Sequence, residues 1–256
     1  KQENARVMGG ESIFFFFVIP HLKHHVHCVE VCHLATWLPY SIGFIDRINY
    51  RVFSTEKLKN LVEKQYYENK LPRKYFTKLF FIDNAIDIPE YTPVTNKELQ
   101  VFFIGRGAAQ KRVHLITAIA KAIYDKGLPV TFNFVGDVDK VIDIAAFPFC
   151  KFFGNIKEQV TMNQIYEEAD ILILTSAFEG LPIVVMQMMA YGKVVVSTAV
   201  NGIPDYIFHE ENGLLLNATD ETEIIKEGIC SIERLLFNPD MRLKLGKRSR
   251  EKKKKK

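Results

Sequence analysis

Residues 99–127 read LQVFFIGRGAAQKRVHLITAIAKAIYDKG, and this stretch decides the fold. Leu99–Ile104 is a short apolar run rich in aromatic and branched residues, the pattern of a strand buried on both faces. Val113–Lys126 then sets apolar residues at helical spacing and stops at Gly127, a residue suited to the left-handed turn after a helix. Between strand and helix lies a loop holding Gly105, Arg106, Gly107 and Lys111. A buried strand feeding directly into a helix is half of a crossover unit whose next strand lies parallel to the first.

The same alternation continues downstream. Strands are predicted at Val130–Val135, Lys151–Phe153, Ile171–Leu174, Val194–Ser197 and Leu214–Leu216, with helices near Val160–Ala169, Pro182–Tyr191 and Glu221–Leu236. Strands alternating with crossover helices mean an α/β domain, a parallel sheet covered by helices on both faces. In such sheets ligands sit at the carboxyl ends of the strands, so chemistry is sought in the loops after Ile104, Val135, Phe153, Leu174 and Ser197.

Upstream the texture changes. Residues 1–95 are rich in Phe, His and Tyr without a steady period, and Ile88-Pro89-Glu90-Tyr91-Thr92-Pro93 reads as a linker because two prolines remove donors and favour extended backbone before them. Three segments follow: 1–95, 96–246 and a basic tail at 247–256. Val52–Ser54, Glu56–Tyr67 and Lys78–Ile82 read as strand, helix and strand. The apolar run Ile13–Pro20 is far shorter than the ~20 residues that span a bilayer, lacks a charged leader, and is expected to be a buried strand.

Composition narrows the class. The formal net charge is +4, of which the five terminal lysines supply +5, so the body is close to neutral and carries no nucleic-acid footprint. Cys28, Cys32, Cys150 and Cys230 form no C-x-x-C pair, which reads as reduced thiols in a cytoplasmic setting.

Two loops can carry chemistry. In Gly105–Lys111 the glycines let backbone approach a phosphate, a helix N-terminus offers free N–H groups, and Arg106 and Lys111 add two cations, a set that suits a diphosphate. A rival reading is a dinucleotide fingerprint supported by Asp137, with Gln110 standing where its third glycine belongs. The second loop is Ser176-Ala177-Phe178-Glu179-Gly180-Leu181-Pro182, with Pro182 suited to a first helical position. Side chains of a helix lean towards its N-terminus, so Gln187 can address a ligand held near Glu179.

Here the sequence resembles a known family. Residues 179–196, EGLPIVVMQMMAYGKVVV, are similar to the E-G-x-P-x-x-x-x-E-A-M-A-x-G-x-P-V-V signature of family-four GT-B glycosyltransferases. Gly105-Arg106 with Lys111 is similar to the family's G-R-x-x-x-x-K, Phe134-Val135-Gly136 to its second strand and loop, and Phe153-Gly154-Asn155-Ile156 to its F-x-G-x-V. Asn201–Asp205 is similar to G-G-I-P-E, Asn212–Leu215 to N-G-L-L, and residues 53–58 with 83–87 to the close of the first of the family's two domains. The resemblance covers about residues 50 to 246.

The resemblance implies a Rossmann-like donor domain, a remnant of an acceptor-side domain, and transfer of a sugar from a nucleotide sugar with retention of configuration, without metal or other cofactor. It implies that Arg106, Lys111 and Glu179 act on diphosphate and sugar. Gly105 and Gly136 would shape the donor loops, Gly180, Leu181, Pro182 and Ile183 would lend backbone N–H groups, Gln187 would hold the ribose, and Asn155 and Ile156 would line the base. Its partners would be the nucleotide sugar, a sugar, lipid-linked or glycoconjugate acceptor, and a chain supplying the missing half. Gln187 stands where the family has its second glutamate, keeping an acceptor oxygen without the charge. A donor-binding subunit without turnover is the alternative.

Two further features are expected to lie outside that site. His24, Cys28 and Cys32 would share a helix face at i, i+4 and i+8 and could ligate zinc, or else belong to a histidine-rich helix surface or a partly ordered segment. The tail reads as a solvated, disordered end able to touch an anionic lipid surface weakly.

Overall fold

The computed structural model describes residues 6–10, 12–33, 38–90, 96–180 and 182–254. It divides into two compact units at Ala85/Ile86, ten residues before the boundary that the prolines suggest, and the basic segment belongs to the second unit.

The first unit is fuller than one strand–helix–strand. Strands β1 (Arg6–Gly9), β2 (His27–Cys32), β3 (Ile48–Phe53) and β4 (Leu79–Phe81) form a parallel sheet in chain order. Helices α1 (Ile13–Val18), α2 (Leu38–Gly43) and α3 (Glu56–Glu68) connect them. The run Ile13–Pro20 is not a strand. Ser12 Oγ accepts from Phe14 N at 3.3 Å and opens α1, and the buried residues Phe15, Phe16 and Ile19 share one helical face while Phe14 and Phe17 are exposed. Nor do His24, Cys28 and Cys32 share a helix face. The last two lie in β2, buried, and His24 takes a 2.7 Å hydrogen bond with Arg47. Among the described residues no group of three or more His, Cys, Asp or Glu could hold a metal ion.

The second unit carries a six-stranded parallel sheet of order β10-β9-β8-β5-β6-β7 among the described residues. Its strands are β5 (Leu99–Ile104), β6 (Val130–Val135), β7 (Lys151–Gly154), β8 (Ile171–Leu174), β9 (Val194–Thr198) and β10 (Leu214–Leu216), and its helices begin with α4 (Val113–Asp125) and α5 (Gln159–Glu168). After these come α6 (Ile183–Ala190), α7 (Glu221–Phe237) and α8 (Pro239–Lys254). Ile171 to Leu174 and Val194 to Val196 are buried at every position, as strands covered on both faces must be. Asp220 caps α7 by accepting from Thr222 N at 2.9 Å and Glu223 N at 3.2 Å.

The basic segment up to Lys254 is helix rather than a disordered end. Arg250 is buried because its guanidinium donates to the carbonyls of Ala190, in the last turn of α6, and of Pro89, the latter at 2.5 Å. The Ala190 carbonyl is one that a helix end leaves without an intrahelical partner, and the helix dipole favours a cation there. Lys253 is buried too, with Nζ 3.4 Å from Met186 Sδ. No described helix is long and apolar enough to cross a membrane.

Candidate functional site

The strand order places the ends of β5 and β8 side by side, with Val101 paired to Ile171 and Phe102 to Leu172. Their loops therefore leave the same sheet edge together. Backbone and side chains lace them: Ala177 N donates to Gln110 O at 2.8 Å, Gln110 Nε2 to Phe178 O at 2.7 Å, and Arg112 Nε to Thr175 O at 2.7 Å. Gln110 thus has a structural task in place of a fingerprint glycine.

Lys111 and Glu179 meet in this laced region. Lys111 Nζ lies 2.5 Å from Glu179 Oε1, both side chains nearly buried, and Ser176 Oγ donates to the same oxygen at 2.6 Å. Lys111 carries three donor hydrogens, so its bond to Glu179 leaves two for a ligand. Arg106, on the same loop, is exposed and its side chain engages no described residue.

Gly107 and Gly136 are both required by close approach of backbone to backbone. Gly136 has φ +123°, a conformation open to glycine, and a Cβ there would strike the carbonyl oxygen of Gly105. A Cβ on Gly107 would strike the carbonyl oxygen of Asp137. Asp137 itself is occupied, accepting from Gly107 N at 2.8 Å and pairing with Lys140 at 2.6 Å. The bond from Lys140 and that from Gly107 hold its carboxyl down at about 2. A dinucleotide reading needs that carboxylate for a ribose, and here it staples the β6 loop to the β5 loop.

The remaining sequence-predicted residues fall on the same sheet edge. Asn155 and Ile156 follow β7, Asn155 exposed and Ile156 half-buried against the core. Gly180 is half-buried, and Leu181 lies outside the described residues. Pro182 is the residue before α6 rather than its first, with φ −62° and ψ 130°, and it provides no side-chain cap. Ile183 opens the helix, exposed, and Gln187 lies in its second turn, half-buried, its amide engaging no described residue. Val185 N already donates to Pro182 O at 3.0 Å, so the N–H groups of Ile183 and Val184 are those that α6 leaves without an acceptor inside the helix.

Sequence reading passed over three contributors. Ser176 was visible only as the first residue of the Glu179 loop. Arg112, left-handed at φ 45°, ties the β5 loop to Thr175 and Ser176. Asn201, present in the sequence reading only as the first residue of the Asn201–Asp205 match and also left-handed at φ 45°, accepts from Glu179 N at 3.1 Å, a contact across 22 residues.

Comparison with known proteins identifies the family of the second unit and its fold. The family described as Glycosyl transferases group 1 matches over residues 98–234. An uncharacterized glycosyltransferase of Methanocaldococcus jannaschii is 28% identical over 127 residues, 47% of this chain and 32% of the relative. The Campylobacter jejuni GalNAc-alpha-(1->4)-GalNAc-alpha-(1->3)-diNAcBac-PP-undecaprenol alpha-1,4-N-acetyl-D-galactosaminyltransferase is 26% identical over 200 residues, 72% of this chain and 52% of that protein. The chain thus spans about a third to a half of the length of these relatives. Among solved structures, a Staphylococcus aureus TarM mutant, in complex with Fondaparinux, alpha-GlcNAc-glycerol and UDP, superposes with a TM-score of 0.73 at 19% identity, covering 91% of this chain and 48% of that one.

Proposed function

Because this chain belongs to the glycosyl transferases group 1 family, we propose that it binds a nucleotide sugar at the β5 and β8 loops and transfers the glycosyl unit to an acceptor. The transfer proceeds with retention of configuration and without a metal or other cofactor. The observation that carries this reading is the meeting of Lys111 and Glu179, 68 residues apart in sequence, at the carboxyl edge of the sheet beside Arg106 and the N-terminus of α6.

The chemistry follows from charge. A departing nucleoside diphosphate gathers negative charge while the sugar becomes oxocarbenium-like, so fixed cations and helix N–H groups at the leaving group lower the barrier. Arg106, Lys111 and the first N–H groups of α6 supply those. Glu179 accepts from hydroxyls of the donor sugar, Gln187 from the ribose, and the loop holding Asn155 and Ile156 lines the base. The acceptor side is assigned to residues 1–85.

Calorimetric titration with UDP, GDP, ADP and their sugar conjugates tests the donor site. Product formation from radiolabelled donors, with excess EDTA and with the anomeric configuration read by NMR, tests the reaction. Absence of binding to every sugar nucleotide would remove the donor site. Binding without turnover would make the chain a donor-binding subunit.

A further inference from the structure

Glu179 is held at three points, and two of them touch no position assigned to the ligand. Both recorded bonds to its carboxylate, from Lys111 Nζ and Ser176 Oγ, end on Oε1. Its backbone N–H donates to Asn201 Oδ1. Oε2 engages no described residue, and Glu179 as a whole is only 6% exposed.

The supports of this clamp are themselves fixed. Ser176 is buried, and its carbonyl oxygen accepts from Thr198 Oγ1 at 2.7 Å and Arg112 Nη2 at 3.1 Å, so its hydroxyl is delivered from a rigid backbone. A serine hydroxyl has a single hydrogen to donate, and here it goes to the carboxylate. Asn201 stands just beyond β9 in the left-handed region, which asparagine tolerates better than most residues, and this turn aims its amide oxygen at the Glu179 N–H.

We propose that Ser176 and Asn201 are positioning residues that fix the orientation of the Glu179 carboxylate and so govern recognition of the donor sugar, not of the nucleotide. The inference rests on the reading of Glu179 as the acceptor of sugar hydroxyls. Lys111 cannot do this task alone, because a phosphate competes for its ammonium and its stem is flexible. Ser176 keeps Oε1 fixed in place while the ammonium of Lys111 is shared with the diphosphate, and Oε2 stays presented to the sugar. Fixed acceptors of this kind discriminate among hydroxyl patterns because a misplaced hydroxyl leaves a nearly buried carboxylate oxygen without its bond.

The experiment compares each nucleoside diphosphate with its sugar conjugate. Wild type, Ser176→Ala and Asn201→Gly are titrated calorimetrically with UDP, UDP-glucose, UDP-N-acetylglucosamine, GDP and GDP-mannose, after circular dichroism has shown each variant folded. Asn201→Gly keeps the left-handed turn while removing the acceptor, so it reports even where Ser176→Ala fails to fold. The expected result is a loss of about three- to tenfold in affinity for the sugar conjugate, the worth of one hydrogen bond, with affinity for the matching diphosphate unchanged within about twofold. Equal losses for diphosphate and conjugate, or no loss for either, would overturn the inference while leaving the donor site standing. A wild-type chain that binds diphosphates but no conjugate would overturn both.

Discussion

Lys111 Nζ and Glu179 Oε1 lie 2.5 Å apart, in side chains 13% and 8% exposed, so a cation and a carboxylate expected to act on a ligand are first of all partners of each other. Removing Lys111 leaves the charge of the nearly buried Glu179 carboxylate offset by the Ser176 hydroxyl alone, whereas an exposed charge costs almost nothing to remove.

Lys111→Met is therefore expected to destabilise the second unit by about 3 kcal/mol, and Lys111→Met combined with Glu179→Gln to recover much of that loss. Arg106→Ala is expected to leave stability within about 0.5 kcal/mol of wild type yet to weaken nucleoside diphosphate binding by about 1–3 kcal/mol. Chemical denaturation and calorimetric titration on the same preparations separate the two behaviours, and an unstable Arg106→Ala would contradict the free position of that side chain.

Gln187→Glu tightens nucleotide binding if position 187 holds the ribose, because a charged acceptor replaces a neutral one. The control is a 2′,3′-dideoxy nucleotide. Equal improvement for that analogue would remove the ribose from this position.

Gly136→Ala and Gly127→Ala both place a Cβ on a residue of positive φ, but only the first meets backbone, the carbonyl oxygen of Gly105, while nothing lies within 4 Å of the second. Gly127→Ala is expected to cost about 1 kcal/mol and Gly136→Ala about 3 kcal/mol or more. Thermal midpoints decide this, and equal shifts would mean that the β5 and β6 loops yield to each other freely.

Burial pushes the thiols of Cys32 and Cys150 up to about 12 and raises that of Cys28, while Cys230 is exposed. A thiol whose folded value stands above its unfolded one is protonated, and inert, throughout the range in which the unfolded chain would react. At pH 8 a disulfide reagent should label one thiol rapidly in the native protein and four after denaturation. Fast labelling of two or more would show that the interior opens on the reaction timescale.

The sequence by itself determined the second unit closely. Strands at 99–104, 130–135, 171–174 and 214–216 stand where the apolar runs end and begin, because strands covered on both faces are predominantly apolar and the loops around them polar. It also singled out, through glycines, cations and the motif around Glu179, the two loops that the structure laces together. In the first unit the same logic misread Ile13–Val18, since a short apolar run fits a strand and a half-buried helix equally well. The terminal helix was missed because lysines and arginines signal solvent, and only the tertiary structure supplies the carbonyls of Ala190 and Pro89 that let Arg250 be buried. Tertiary structure alone also decided how the site is wired. The Lys111–Glu179 pair, the Asn201 contact and the Asp137 staple join residues 68, 22 and 30 positions apart, and such pairings are set by strand order, which no local pattern encodes.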